Sequence, residues 1–566
     1  MSRKRQLRNN KFSIAILAAF ILIFAVFGAY KLFFSSAATT TANLWVDLNG
    51  GSCTRQATAG AYVDAQACSS FNAAYSAAQP GDLVIAKCGD YTGGINGNNE
   101  IKITSNKSAG PNVTMQSETP LCATTAGWIL DPGDGGTGGN YLTIKQFTIN
   151  DGFYGIEGSG RTHVTADGNL IESLGDSLRH QLVHFNDSSY ISIINNTIGP
   201  GCCGSPSAGD SPEGIRFGAT NSSSYNDHIT ISNNLIHYIG RIASDWPTSL
   251  YGPVPGSDCG SNCHVDGIHI WGMTNSVISY NRLYAAPCQG IFIESTNDAP
   301  NSNIDIIGNA ISELGDGGCG DKSIYIKAST GNSSEWSGTF NIAFNSAEGN
   351  FNFGAGFSDC ASKGCTFNVT GNYMKLFVTN GSGNDGGCNG GNPTGVTINY
   401  KYNVWYSGST TNPAPCGGNY KISSLDFVND SPPPATGIDM HLASSSSGAV
   451  DYVPSSVCTS ITTTDFDGNI RPQGSACDAG ADEFTSSQSP PPQPPPPPPP
   501  PPNPTPPPPP PPPPKPGDCN SDNQVNVTDL SILISHFNQN YSNCDFNADS
   551  IVNIFDLSTL LTNFGS

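Results

Sequence analysis

Charge is what this sequence has least of. Only 12% of its 566 residues are Asp, Glu, Lys or Arg, about half the usual share, which excludes charge-laced helical bundles and coiled coils. Basic groups are scarcer still, 24 against 45 acidic ones, for a formal net charge of −21. An acidic chain repels a polyanion, so no nucleic acid is expected as a partner. Six of the basic groups (Arg3, Lys4, Arg5, Arg8, Lys11 and Lys31) lie in residues 1–38, which hold no acid, so the remainder carries −27. No pair of CxxC elements occurs, which weakens any zinc reading of the cysteines. What is abundant is glycine, at 64 residues, with 37% apolar residues. That balance points to an extracellular β protein, and the length calls for more than one structural unit.

The basic flank runs into Phe12–Tyr30, nineteen residues without a charge. This is longer than a usual signal-peptide core and nearly spans a bilayer. The expectation is a signal anchor over residues 1–38, cytoplasmic at its N-terminus and exporting everything after it, with a cleaved signal peptide as the alternative. All 18 cysteines lie in the exported part, where oxidised pairs persist. Cys360/Cys365, Cys458/Cys477 and Cys519/Cys544 are close enough in sequence to pair.

The middle of the chain repeats a phrase of alternating apolar residues, an asparagine, then another alternating pair. The asparagines are Asn169, Asn196, Asn234, Asn281, Asn309, Asn345, Asn372 and Asn403. Their intervals suit one solenoid turn each, some enlarged by an inserted loop. Alternation means strands, and an inward Asn at one corner of every turn can bond to the next as a ladder. The pattern resembles the right-handed parallel β-helix of the pectate-lyase-like superfamily, over a domain placed at 39–488. The resemblance implies an all-β solenoid with an N-terminal capping helix, read at Ser70–Ala78. The first strand is then expected at Asp82–Lys87, and a closing segment over Asp465–Phe484.

A second signature falls between the Asn corners. It reads Glu213-Gly214-Ile215-Arg216, Asp266-Gly267-Ile268-His269, Gln289-Gly290-Ile291-Phe292 and Lys322-Ser323-Ile324-Tyr325, with Gln181-Leu182-Val183-His184 before them. Stacked on adjacent turns, the outward residues form three columns. One holds Glu157, His184, Arg216, His269, Phe292 and Tyr325. The second holds Gln181, Glu213, Asp266, Gln289 and Lys322, and the third Asn186, Trp271, Glu294 and Lys327. Acids, bases and aromatics on one strip of a charge-poor chain suit a polysaccharide cleft.

Two reactions fit the strip. β-Elimination of a uronate needs a cation and a base, for which Arg216, His269 and Lys322 are the candidates, with Tyr325 as a proton donor. Hydrolysis needs two carboxylates, for which Glu213 and Asp266 are the pair. His184, Trp271 and Tyr325 are the expected substrate contacts, and the loops at 199–212 and 240–264 flank the strip. The run around Asp266 is similar to the strand of polygalacturonase-type hydrolases but lacks that family's following Asp-Asp pair. Bases and cations outnumber well-placed carboxylate pairs, which favours a lyase. A surface adhesin that binds glycans without cleaving them is the alternative.

From Pro490 to Pro516, 23 of 27 residues are proline. This linker, placed at 489–516, is a polyproline II spacer on the order of 80 Å. Two matched segments follow it. Asp518, Asn520, Asp522, Asn526 and Asp529 sit at loop positions 1, 3, 5, 9 and 12, as do Asp545, Asn547, Asp549, Asn553 and Asp556. That spacing supplies the oxygens Ca2+ requires. Each loop leads into an apolar stripe, Leu530, Leu533, Ile534 and Phe537, then Leu557, Leu560, Leu561 and Phe564. The pair resembles a dockerin, a small all-α domain over 517–566. The resemblance implies calcium-dependent folding and a cohesin-like protein partner. Position 6 departs from the usual glycine, being Asn523 and Ser550.

Overall fold

The computed structural model describes residues 40–93, 100–130, 138–150, 154–173, 181–201, 213–221, 223–239, 265–284, 288–295, 299–312, 322–327, 336–354, 357, 360–379, 395–406, 418–429, 439–445, 447–485 and 515–565. The expected signal anchor and most of the two flanking loops and of the proline run lie outside these residues. Among the described residues no helix is long and apolar enough to cross a membrane. The chain divides into two compact units, one ending at Ser489 and one beginning at Pro490.

A typical turn of the larger unit contributes three short strands. In one turn they are Gln181–Asn186, Ser189–Ile194 and Thr197–Gly201. Each pairs in parallel with its counterpart on the next turn, through Val183↔Ile215, Ile193↔Ile231 and Ile198↔Ile236. The product is a parallel β-helix with three faces, taken here in chain order as first, second and third. One antiparallel pair, Phe427–Asn429 with Asp439–Leu442, follows the last turns. Inward Ile, Val and Phe side chains stack along the axis in one continuous core.

The corner between the second and third faces explains the repeated asparagines. A left-handed residue reverses the local backbone there (Asn195, Asn233, Tyr280, Gly308, Phe344, Gly371 and Tyr402, all near φ +60°), and the next side chain turns inward. Asn fits because its amide replaces the strand pairing that the corner interrupts. Asn281 donates from its backbone N and from Nδ2 to Asn309 Oδ1, at 3.0 and 2.9 Å, and from Nδ2 to Ile231 O at 2.9 Å. Its own Oδ1 accepts from Asn234 N and Nδ2. The same linkage joins all eight expected asparagines and ends on a ninth, Asn419. Asn281→Leu strips partners from several buried groups at once and should cost roughly 3–5 kcal/mol, read as a fall in thermal midpoint. An unchanged midpoint would show the ladder to be dispensable.

The helix Phe71–Ala77 forms where expected, with Ser70 Oγ accepting Ala73 N. It buries Phe71, Ala74 and Tyr75, and Phe71 packs edge-on against Trp128 and Phe147 inside the first turns. The first strand is not at Asp82, however. Leu44–Val46 precedes the helix and pairs with Leu83–Ala86. All three of its residues are buried, so it lacks the alternation by which the other strands were recognised. At the far end the closing segment docks through Gly480 N to Gly371 O and Ala481 N to Ser346 Oγ. The fully buried Arg471 holds it in shape by donating to the carbonyls of Asp478, Gly480 and Asp482. Disulfides join Cys53–Cys68, Cys88–Cys122, Cys360–Cys365, Cys458–Cys477 and Cys519–Cys544.

The smaller unit carries two helices, Val527–Ser535 and Ile554–Thr562, each begun by a capping box on Asn526 or Asn553. Its core is small: Cys519, Val525, Leu533, Cys544, Val552 and Leu560. Only half of each expected apolar stripe packs there. Ile534, Phe537, Leu561 and Phe564 stay exposed.

Candidate functional site

The expected columns form on the first face in the expected register. Glu157 pairs with His184, His184 with Arg216, Arg216 with His269, His269 with Phe292, and Phe292 with Tyr325. Gln181 stands beside Glu213, and Asp266 beside Gln289, which stands beside Lys322. Trp271, Glu294 and Lys327 complete the third column. Where such a strand carries Gly, its backbone packs against the third face. A Cβ on Gly267 would meet Leu283, and one on Gly290 would meet Ile311.

His269 is the hub. Its Nδ1 lies 2.6 Å from Glu213 Oε1 and 3.3 Å from Asp266 Oδ2, while Nε2 lies 3.3 Å from Glu294 Oε1. Glu213 Oε1 accepts from Nδ1 and Asp266 Oδ2 adds a second negative charge beside it, so that nitrogen carries a proton in either charge state. At Nε2 a neutral ring accepts the indole N–H of Trp271, 2.6 Å away, whereas an imidazolium donates to Glu294. Burial alone would lower the pKa of His269, but Glu213, Glu294 and Asp266 outweigh it and raise it to about 9. The ring is therefore an imidazolium at neutral pH. Arg216 stands 3.6 Å from Glu213 Oε2 and lies 4.0 Å over the Trp271 ring. Lys327 lies 3.9 Å from Glu294 Oε2. Three carboxylates thus face three cations.

The raised pKa makes His269 a stability group. Its contribution, at most roughly 3 kcal/mol, is complete below the unfolded value near pH 6.5 and is lost as pH rises through about 9. The thermal midpoint should fall between pH 7 and 10 in the parent protein, and fall less in Glu213→Gln. Equal slopes in both would refute the charge pairing.

Glu213 and Asp266 are 3% and 0% exposed, and each lies against the same imidazole nitrogen. Ligand atoms of Glu213, Asp266 and His269 all lie within 4.8 Å of one another, so these three could hold a metal ion, but only in place of the Nδ1 proton. Both are sealed beneath the imidazole, so neither presents an open carboxylate to a glycosidic bond.

Lys322 lies on the open side. Its ammonium sits 4.4 Å over the Tyr325 ring, and burial, then Lys327, lower its pKa. Burial, then Glu294, raise that of Tyr325. Lys322, Tyr325 and Lys327 share one strand, Lys322–Lys327, of which they are the three partly exposed residues. The register sets Arg216 three strands away from Tyr325, about 14 Å along the axis, so Arg216 and Lys322 cannot reach one sugar ring. His184 is buried 8% exposed, with Nε2 3.2 Å from Asn186 Oδ1 and its ring tilted 5.2 Å from Tyr154. Glu294 and Lys327 were legible as a column; what singles them out is their reach to His269 and to each other, which sequence cannot supply.

In the smaller unit, ligand atoms of Asp518, Asp522 and Asp529 lie within 4.8 Å of one another, as do those of Asp545, Asp549 and Asp556. Position 6 of each loop is left-handed, Asn523 at φ 65° and Ser550 at φ 71°, the conformation that normally selects glycine. Asn520 and Asn547 donate to Asp522 and Asp549 within the loops. Asn526 and Asn553 accept from Thr528 N and Phe555 N, so their side-chain oxygens cap helices. The carboxylates at positions 1, 5 and 12 fit calcium in both loops.

No curated protein matches this sequence. Among solved structures the chain is similar to pectate lyase Pel9A, at 16% identity and a TM-score of 0.42, covering 78% of this chain and 96% of that one. It is similar to a PL6 alginate lyase in complex with trisaccharide (12% identity, TM-score 0.29, 63% and 85% covered). It is also similar to PfbA, a surface adhesin of Streptococcus pneumoniae (11%, 0.26, 61% and 88%). Residues 516–564 match the Dockerin type I domain. The chain joins a parallel β-helix to a C-terminal dockerin type I domain.

Proposed function

We propose that this is an extracellular polysaccharide lyase, with domains at 39–488 and 517–566 joined by the linker 489–516, that works on a uronate-containing polysaccharide. The helix Phe71–Ala77 then serves as the cap of the solenoid. The observation that carries the reading is the contrast along the first face. The two carboxylates a hydrolase would need are buried on His269, whereas Lys322, Tyr325 and Lys327 stand together on the open side.

In this reading Lys327 neutralises the uronate carboxylate, which acidifies the C5 proton. Lys322 takes that proton, aided by its lowered pKa. The C5–H electron pair becomes the C4–C5 double bond, the C4–O4 bond breaks, and the Tyr325 hydroxyl protonates the departing oxygen. Lys322 then returns its proton to the phenolate, so the step consumes no water and no oxidant. Arg216 and Trp271 bind a neighbouring sugar, and His269 with Glu213 and Asp266 keeps the floor rigid. The dockerin domain holds calcium through the two loops and attaches the enzyme to a cohesin-like partner.

The test incubates the protein with acidic and neutral polysaccharides, with and without calcium. Absorbance near about 235 nm reports unsaturated uronate, alongside a reducing-end assay. Both signals should rise on a polyuronate. Reducing ends without absorbance would replace this reading by hydrolysis, and binding without either signal would replace it by an adhesin.

A further inference from the structure

The second face carries a feature that the chemistry of the first does not use. Tyr141, His163, Tyr190 and His228 occupy the same corner of four successive turns, each left-handed at φ 55–57°. Their rings stack face to face, at 4.4 Å between Tyr141 and His163, 4.7 Å between His163 and Tyr190, and 4.7 Å between Tyr190 and His228. Asn275 and Asn303 continue the column, joined by a 3.1 Å hydrogen bond. From His163 to Asn303 this column forms one wall of a groove floored by outward residues of the second face, including Thr165, Ser192, Thr230 and Asp305.

Left-handed aromatics are not rare in this molecule, so packing must be weighed first. At the Asn-ladder corner each such ring is covered by a glycine from the next turn: Tyr280 by Gly308, Phe344 by Gly371, and Tyr402 by Gly418. There the ring fills space that a Cβ would need, which is a packing device. The Tyr/His corner has no such interleaving. Its rings lie directly on one another, and Tyr190 remains 47% exposed. Bulky residues are disfavoured in the left-handed region and rarely held there without cause. What the arrangement yields is a row of ring edges, phenol and imidazole polar atoms beside a floor of hydroxyls.

We propose that this groove is a second glycan-binding site, holding an extended, neutral polysaccharide along the solenoid axis. Its length follows from the rungs: five corner residues from His163 to Asn303, four steps of about 4.8 Å, roughly 19 Å, room for several sugars at about one per turn. Its charge selects the ligand. Among the described residues no Lys or Arg lines the groove, while Asp305 does, so a polyuronate meets no lysine or arginine counter-charge there. The first face differs in bearing Arg216, Lys322 and Lys327. Hydroxyls, amides and ring edges in rows suit the hydroxyls of a neutral chain. The site would hold the protein on a matrix polymer while the first face meets another, and it stands whether or not the first face is catalytic.

The test uses the full chain in affinity electrophoresis through gels containing hydroxyethylcellulose, galactomannan or polygalacturonate. The parent should be retarded by at least one neutral polymer. Tyr190→Ala/His228→Ala should weaken that apparent affinity at least tenfold, and so should Ser192→Trp, which fills the floor and leaves the stack intact. Arg216→Ala and Lys322→Met should leave it unchanged. A parent that runs freely in both neutral gels overturns the proposal. So does retardation that both groove variants retain, or that Arg216→Ala abolishes. Unchanged thermal midpoints in the variants separate lost binding from lost fold.

Discussion

Replacing Lys322 by Met should reduce turnover on a cleavable polyuronate by roughly 10²–10⁴-fold, the range a positioned acid–base group contributes, with KM little changed. Methionine keeps the stem that lies on Tyr325 and removes only the amine. Lys327→Met should act differently: it removes the carboxylate's partner, so KM should rise and kcat should fall as well, because neutralisation strengthens in the transition state. Arg216→Ala, about three turns away, should raise KM alone. The pH profile adds a readout that a merely structural role would not move. Burial and Lys327 lower the pKa of Lys322, and burial and Glu294 raise that of Tyr325. The base is thus freed at lower pH than an ordinary lysine, and the acid keeps its proton to higher pH than an ordinary tyrosine. Activity should climb through the Lys322 titration and hold until Tyr325 ionises, an alkaline plateau. The rising limb should vanish in Lys322→Met. Full activity in that variant would remove Lys322 from the chemistry and return attention to His269.

The columns were readable from sequence because a β-helix converts spacing into position. Once the Asn corners set the turns, every outward residue had a known neighbour one rung away, and the register bears this out from Glu157 to Tyr325. Depth was not readable. Sequence placed His269, Lys322, Glu213 and Asp266 on one strip without saying that the last two are sealed beneath an imidazole while Lys322 stays open. Burial follows from what surrounds the ring, here Phe292 of the next turn, stacked on His269 at 4.7 Å, and Trp271 of the same strand. The Tyr/His stack escaped for a related reason. Its members sit where no strand pattern alternates, and only the left-handed corner aligns residues whose intervals range from 22 to 38. In the dockerin, periodicity marked the apolar stripes but could not say which half would pack. A core of six residues has no room for Ile534, Phe537, Leu561 and Phe564 as well.

That small core leads to the second large effect: removing calcium should unfold the C-terminal unit while the β-helix stays intact. Residues 515–565 hold six carboxylates and one lysine, and the carboxylates converge three by three. Without a cation each cluster sets like charges within a few ångströms, and the disulfide Cys519–Cys544 cannot offset that repulsion. The loops also set the helices. Asp529 accepts Cys519 N and Asn526 N, and Asp556 accepts Phe546 N and Asn553 N, so each position-12 carboxylate ties its loop to the first turn of the next helix. Bound calcium at about a thousand times its Kd stabilises the folded form by roughly 4 kcal/mol per site, a large share of what so small a domain has. Hydrogen exchange on the full chain, followed peptide by peptide, is the measurement. After chelation the amides of Val527–Ser535 and Ile554–Thr562 should lose protection together, while those of the Asn ladder keep it. Asp529→Ala should expose both helices even with calcium present, because they share one core through Leu533 and Leu560. Retained protection after chelation would mean that backbone N–H groups alone hold these loops, and that calcium has no part in the fold of this domain.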